Sequence, residues 1–198
     1  VFLHAHFLKN NNIQLKDFGP TYFGMGGFGL SGRVMNHFGI VESIVLSENI
    51  KLEAPWAAIT DPSQINPNFN FDDGIIGYPF LQNFDLIFDY QNDKMYLKPI
   101  TGSKIKYNRD LTGMFIRTNS NFTNFYVASL VDDSPADIAG LVEGDKIISI
   151  DGKSVSDFDG LDGINEFLRN TGKSTILISY ERDGNIENAK LNLFDMLK

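Results

Sequence analysis

The sequence predicts a mainly β fold in two modules, and three features carry that expectation. Residues 73–97 read as strand, short helix, strand and closing hairpin. Residues 22–34 read as a glycine-rich hairpin. Beyond a polar, basic stretch at 99–110, strand and turn signals begin anew in a composition that repeats nothing of the first part. A chain of 198 residues with 42% apolar residues is long and apolar enough for one large or two small packed domains.

The segment Asp73 to Leu97 organises the first module. Ile75 and Ile76 run into Gly77, and Pro79 falls where the first turn of a helix tolerates proline. The run that follows alternates, placing Phe84, Leu86, Phe88 and Tyr90 on one face of a strand. Gln91-Asn92-Asp93 is turn chemistry, and Lys94 to Leu97 resumes strand character.

Upstream, Val1 to Leu8 reads as a short helix stopped by Lys9-Asn10-Asn11-Asn12. Its His4 and His6 do not make a metal pair on a helix, because i,i+2 positions point apart and no third ligand is near in sequence. Tyr22 to Val34 is rich in glycine but lacks the Lys-Ser/Thr of a phosphate loop and is flanked by strand-like alternation, so it reads as a hairpin. Phe38 to Leu46 and Ile50 to Thr60 read as strands broken at Ser47-Glu48-Asn49, with Trp56 in the core. Asp61 to Asn68 is a proline-marked loop. Asp72 and Asp73 are adjacent, but neighbours in extended chain face opposite ways and cannot share a proton as a catalytic pair does.

In the second module, Ser134 can cap a short helix with Pro135 at its first position, Gly140 can stop it, and Gly144-Asp145 turns into a strand over Lys146 to Ile150. Asp151-Gly152 is a hairpin turn. Asp162 to Asn170 reads as an amphipathic helix with Ile164, Phe167 and Leu168 on one face. Strands at 175–181 and 188–193 close the module.

Bulk properties narrow the chemistry. A net charge of -8 argues against a nucleic-acid partner, which needs clustered Lys and Arg. Zero cysteines exclude disulfides, thiol catalysis and zinc-thiolate sites. No apolar run reaches transmembrane length. With Val1 in place of Met, the chain reads as a fragment or mature form.

Ile75-Ile76-Gly77, the helix Tyr78 to Asn83 and the strand pair Phe84 to Tyr90 and Lys94 to Leu97 resemble, in order and length, the aspartic proteases of the pepsin and retropepsin type. The resemblance implies an acid-protease-like β-barrel lobe over residues 1–100, in which the Gly77 element braces the loop bearing Asp-Thr/Ser-Gly. It makes the glycine-rich hairpin similar to the retropepsin flap, with Gly26, Gly27 and Phe28 as substrate-contacting residues. Neither Asp-Thr-Gly nor Asp-Ser-Gly occurs anywhere in the chain, so no catalytic residue is assigned. A mechanism in which two aspartates share a proton would draw on carboxylates from an upstream lobe or a second protomer.

The run Ser134 to Gly152 resembles a PDZ domain of the bacterial protease-associated type, a β-barrel with two helices, here spanning 111–198 after a linker at 101–110. Carried over by position, the peptide groove comprises Gly113, Met114, Phe115 and Ile116 with Ile164 and Leu168 of the helix. Thr112-Gly113-Met114-Phe115 departs from the family's tidy loop in having one glycine.

Together the two resemblances imply the C-terminal part of a bacterial PDZ-carrying aspartic endopeptidase, acting on peptide or protein substrates without cofactor or metal, inactive as this chain alone, and compatible with an envelope or secreted location. The competing reading is a non-catalytic peptide-binding scaffold whose protease-like lobe has lost its chemistry. A trypsin-like reading is set aside, because the first hundred residues offer no glycine-flanked serine with a suitable histidine.

Overall fold

A computed structural model describes residues 1–29, 32–48, 50–53, 55–60, 73–100 and 108–198. The expected loop at 61–68, Asp72, the hairpin tip at Leu30-Ser31 and most of the expected linker lie outside the described residues. The chain divides into two compact units, Val1–Gly19 with Phe38–Tyr107, and Pro20–His37 with Asn108–Lys198.

Within the first 100 residues the order is β1 (Phe2–Leu3), α1 (Ala5–Asn10), β2 (Tyr22–Gly29), β3 (Gly32–Ile40), β4 (Ser43–Ser47), β5 (Ile50–Glu53), β6 (Trp56–Thr60), β7 (Gly74–Ile75), α2 (Tyr78–Leu81), β8 (Phe84–Asp89) and β9 (Lys94–Pro99). One sheet runs β2-β3-β6-β1-β7, while β4–β5 and β8–β9 form separate two-stranded ribbons.

Two local expectations are corrected. Val1 to Leu8 is not one helix: Phe2 and Leu3 pair parallel with Ala58 and Ile59 of β6 and antiparallel with Ile75 and Gly74 of β7. The amide of Ala58 donates to Val1 O at 2.9 Å and that of His4 to Asp73 O at 3.1 Å, so partners remote in sequence claim the backbone before a helix can. The helix starts only at Ala5, burying Ala5 and Leu8. Phe38 to Leu46 is likewise two strands, because the chain breaks at Val41-Glu42 and Val41 N donates instead to Pro55 O at 3.0 Å.

The three-strand junction explains one glycine. A Cβ on Gly74 would lie 2.3 Å from the carbonyl oxygen of Phe2, a backbone atom held in the sheet. The first unit's core is two small clusters, one of Leu8, Ala57 and Ile59, the other of Phe80 and Phe84, whose rings meet at 4.8 Å. The alternating face of β8 is buried at Phe84 but opens toward its far end, where Phe88 is 52% and Tyr90 87% exposed.

Residues 108–198 of the second unit carry β10 (Met114–Thr118), β11 (Phe125–Leu130), α3 (Pro135–Ile138), β12 (Lys146–Ile150), β13 (Lys153–Ser154), α4 (Gly160–Asn170), β14 (Thr175–Arg182) and β15 (Asn185–Asn192). Its sheet runs β10-β11-β12-β14-β15 with β13 on β12, and these strands pair antiparallel throughout. Local chemistry places the turns. Ser134 Oγ accepts from Asp137 N at 3.3 Å, capping α3, and Asp151 and Gly152, at φ 51° and 80°, make the tight turn between β12 and β13.

One continuous core, including Ile116, Val127, Leu141, Ile147, Ile150, Ile164, Leu168, Ile178 and Leu191, fills this unit. Beside it a buried ion pair ties the turn before β12 to the end of β14. Arg182 donates to both carboxylate oxygens of Asp145 at 2.7 Å and to Gly140 O at 2.9 Å, while Val142 N donates to Asp145 at 2.8 Å. Asp145 is 1% exposed. The bidentate carboxylate raises the Arg182 pKa further above its already high ordinary value.

Two substitutions probe these constraints. Gly74→Ala should cost roughly 1–3 kcal/mol, because backbone rather than a flexible side chain must yield; calorimetry should show a lowered unfolding temperature. Arg182→Ala leaves the Asp145 carboxylate buried without its cation and should destabilise by about 3–5 kcal/mol in denaturant unfolding.

Candidate peptide-binding groove

Among the described residues, β10 is the terminal strand of its sheet. Such a strand pairs through one row of backbone groups and presents the other outward, where an extended peptide can add as a further strand. The sequence alternates across it: Met114 and Ile116 are buried, Phe115 is half-buried and Arg117 is exposed. α4 lies alongside β10 and buries Ile164 and Leu168 into the same cluster as Met114 and Ile116. The two elements therefore share a floor of core side chains, and half-buried Leu161 and Phe167 of α4 pack against that floor.

The structure thus places Met114, Ile116, Ile164 and Leu168 together, but as core rather than as open surface, with exposures of 8%, 5%, 0% and 2%. Gly113 belongs to the loop that feeds the strand. Its φ of +75° is in the left-handed region, and a Cβ there would lie 2.2 Å from Ser134 Cβ, so no other residue fits without moving the α3 cap. Thr112 O and Gly113 O accept from Ala136 N at 3.0 Å and Val131 N at 2.9 Å, pinning the loop from behind.

Sequence reasoning missed the loop's own acid. Asp110 Oδ1 accepts from Thr112 N at 2.8 Å, and Thr112 Oγ1 accepts from Met114 N at 3.1 Å. The signal was available, since an Asp two residues before an amide in a turn is a standing Asx-turn pattern. Burial pushes the Asp110 carboxyl above the ordinary aspartate range; the hydrogen bonds from Thr112 and the charge of Arg169 pull the other way. Arg109, next in the chain, pairs with Asp195.

The expected flap residues lie elsewhere. Gly26, Gly27 and Phe28 all fall in β2, next to β3 in the sheet. A Cβ on Gly26 would meet Asn36 Nδ2 at 1.9 Å, so this glycine lets β3's buried Asn36 lie against the strand. The histidines do not build a metal site: among the described residues no group of three or more His, Cys, Asp or Glu is placed to hold an ion.

Comparison with known proteins sharpens one half of this description. Residues 126–182 match the family model for a PDZ domain, and a PDZ domain is therefore present. Over 72 residues the chain is 39% identical to a putative zinc metalloprotease of Borreliella burgdorferi, covering 36% of this chain and 16% of that protein. Two solved structures of the HtrA-type protease AlgW, one with decapeptide and one with tripeptide, align at 16% identity and a TM-score of 0.40. They cover 92% and 87% of this chain and 60% and 63% of theirs. Scores that low define no shared fold. The chain spans less than two thirds of each of these proteins. Of the expected two-part protease, the comparisons show the PDZ domain and give no support to the aspartic-type lobe.

The buried acid has a pH signature. A carboxyl whose folded-state pKa lies above its ordinary 3.8 contributes most below that pH, and the contribution is lost as pH rises through the raised value. Asp110→Asn keeps the acceptor for Thr112 N without the charge. Denaturant unfolding at pH 4 and pH 7 should show the Asn variant gaining on the native chain as pH rises; a constant difference would contradict the raised value.

Proposed function

We propose that this chain is the peptide-docking part of a peptidase, its PDZ groove capturing extended polypeptide along β10 beside α4. The observation that carries the reading is the terminal position of β10 in its sheet with an amphipathic helix alongside, the arrangement that lets a peptide add as a strand and set side chains against a helix. The matched PDZ model and the protease names of the relatives support it.

For the first unit the aspartic-type reading rests on residues 74–99. The elements expected there follow in order as β7, α2, β8 and β9, and Gly74 lies under the backbone of β1, where the chain is bound on both sides. Because no Asp-Thr/Ser-Gly is present in the sequence, the aspartate pair would come from outside these residues, and the chain by itself would be inactive. The competing reading, a scaffold that only binds, shares the groove and differs in having no catalytic partner.

Two measurements test this. Random heptapeptides displayed on phage and selected on the 198-residue chain should protect the amides of β10 from hydrogen exchange and should bind Leu161→Asp at least tenfold more weakly; equal binding to that variant would remove the groove. Incubation of the chain with a denatured protein substrate should give no cleavage, and turnover blocked by an aspartic-protease transition-state analogue would overturn the expectation of an inactive chain.

A further inference from the structure

The loop before β10 holds a carboxylate of its own at the place where a PDZ groove ends. A groove that selects chain termini does so with backbone N–H groups of this loop, which converge on the ligand's terminal carboxylate. Here the amide of Thr112 already donates to Asp110 Oδ1 at 2.8 Å, and the amide of Met114 to Thr112 Oγ1 at 3.1 Å. The donors flanking Gly113 are thus committed to side chains of the loop itself.

We infer that the groove takes internal segments of extended polypeptide and discriminates against free C-termini, because Asp110 and Thr112 occupy the amides on either side of Gly113 and leave a terminal carboxylate too few of the loop's donors. This rests on the reading of β10 and α4 as a peptide groove, and it names the class of peptide.

Three features make the occupation durable. The loop cannot swing to expose fresh donors, since Gly113 is seated on Ser134, which is 0% exposed, and the carbonyls of Thr112 and Gly113 are bonded to Val131 and Ala136 amides. Thr112 is itself 1% exposed, so its hydroxyl is enclosed between Asp110 and the Met114 amide. The charges at the loop do not favour a second anion: Arg109 is paired with Asp195, and Arg169 of α4 already acts on Asp110. An incoming carboxylate would meet the Asp110 carboxyl with the amides of Thr112 and Met114 taken, whereas a peptide continuing past the loop brings no charge and still pairs along the strand.

The test uses the 198-residue chain and two phage libraries of random heptapeptides, one ending in a free carboxylate and the other flanked on both sides by Gly-Ser spacers. Selected sequences are then synthesised as C-terminal acid and C-terminal amide. The expected result is enrichment from the flanked library, with each acid at least tenfold weaker than its amide. In Asp110→Ala, which frees the Thr112 amide, the amide-over-acid ratio should fall by tenfold or more, and the native chain's acid and amide pair decides the matter even if that variant fails to fold. Preferential enrichment from the free-carboxylate library, or acids as strong as amides, overturns the inference and leaves the groove standing. Enrichment from neither library, or peptides indifferent to Leu161→Asp, overturns the groove and the inference with it.

Discussion

Gly113 lies against Ser134 with no room between them for a side chain, and the peptide-facing geometry of the second unit depends on that contact. It joins the loop before β10 to the cap of α3. Because Ser134 is fully buried and caps α3 through Asp137 N, the loop inherits the rigidity of the core behind it. The direction in which β10 leaves the loop, and so the edge it presents beside α4, follows from there. An acid placed in such a loop is held where it is, which is why Asp110 reads as part of the groove's selectivity rather than as a turn ornament.

The two units differ in how completely they bury their apolar residues. In the second, side chains from strands and α4 meet in a single cluster, and the Arg182–Asp145 ion pair has both carboxylate oxygens satisfied. In the first, two small clusters serve a comparable length of chain, and the ribbon β8–β9 leaves Ile87, Phe88, Met95 and Tyr96 about half exposed or more. Two-stranded ribbons rarely hold together on their own, so the packing of its Phe84, Leu86 and Leu97 in one cluster with Phe80 carries much of its stability. The PDZ family model matches residues 126–182, within this well-packed part.

The PDZ half was legible because its signals are short-range. Ser134 with Pro135, Gly140, Gly144 and Asp151-Gly152 act within a few residues of where they sit, and the spacing of Ile164, Phe167 and Leu168 needs only the helical period. The groove was harder. Met114, Ile116, Ile164 and Leu168 share one buried cluster, and period alone does not separate a residue that would line a groove from one beneath it. The Asp110 turn could have been read from spacing; its meaning could not, because that depends on the loop being pinned by Val131 and Ala136.

By itself the order of residues determined the β character, the caps and tight turns, the amphipathic helix and the absence of thiol chemistry, since each rests on composition or on partners a few positions away. Tertiary structure alone decided that Phe2 and Leu3 are strand rather than helix, that Asp145 is paired with Arg182, and that Gly113 must be glycine. In each of those cases the deciding partner lies at least 20 positions away. Backbone hydrogen bonds, charge and steric exclusion act across space, and no local pattern records which distant segment will arrive.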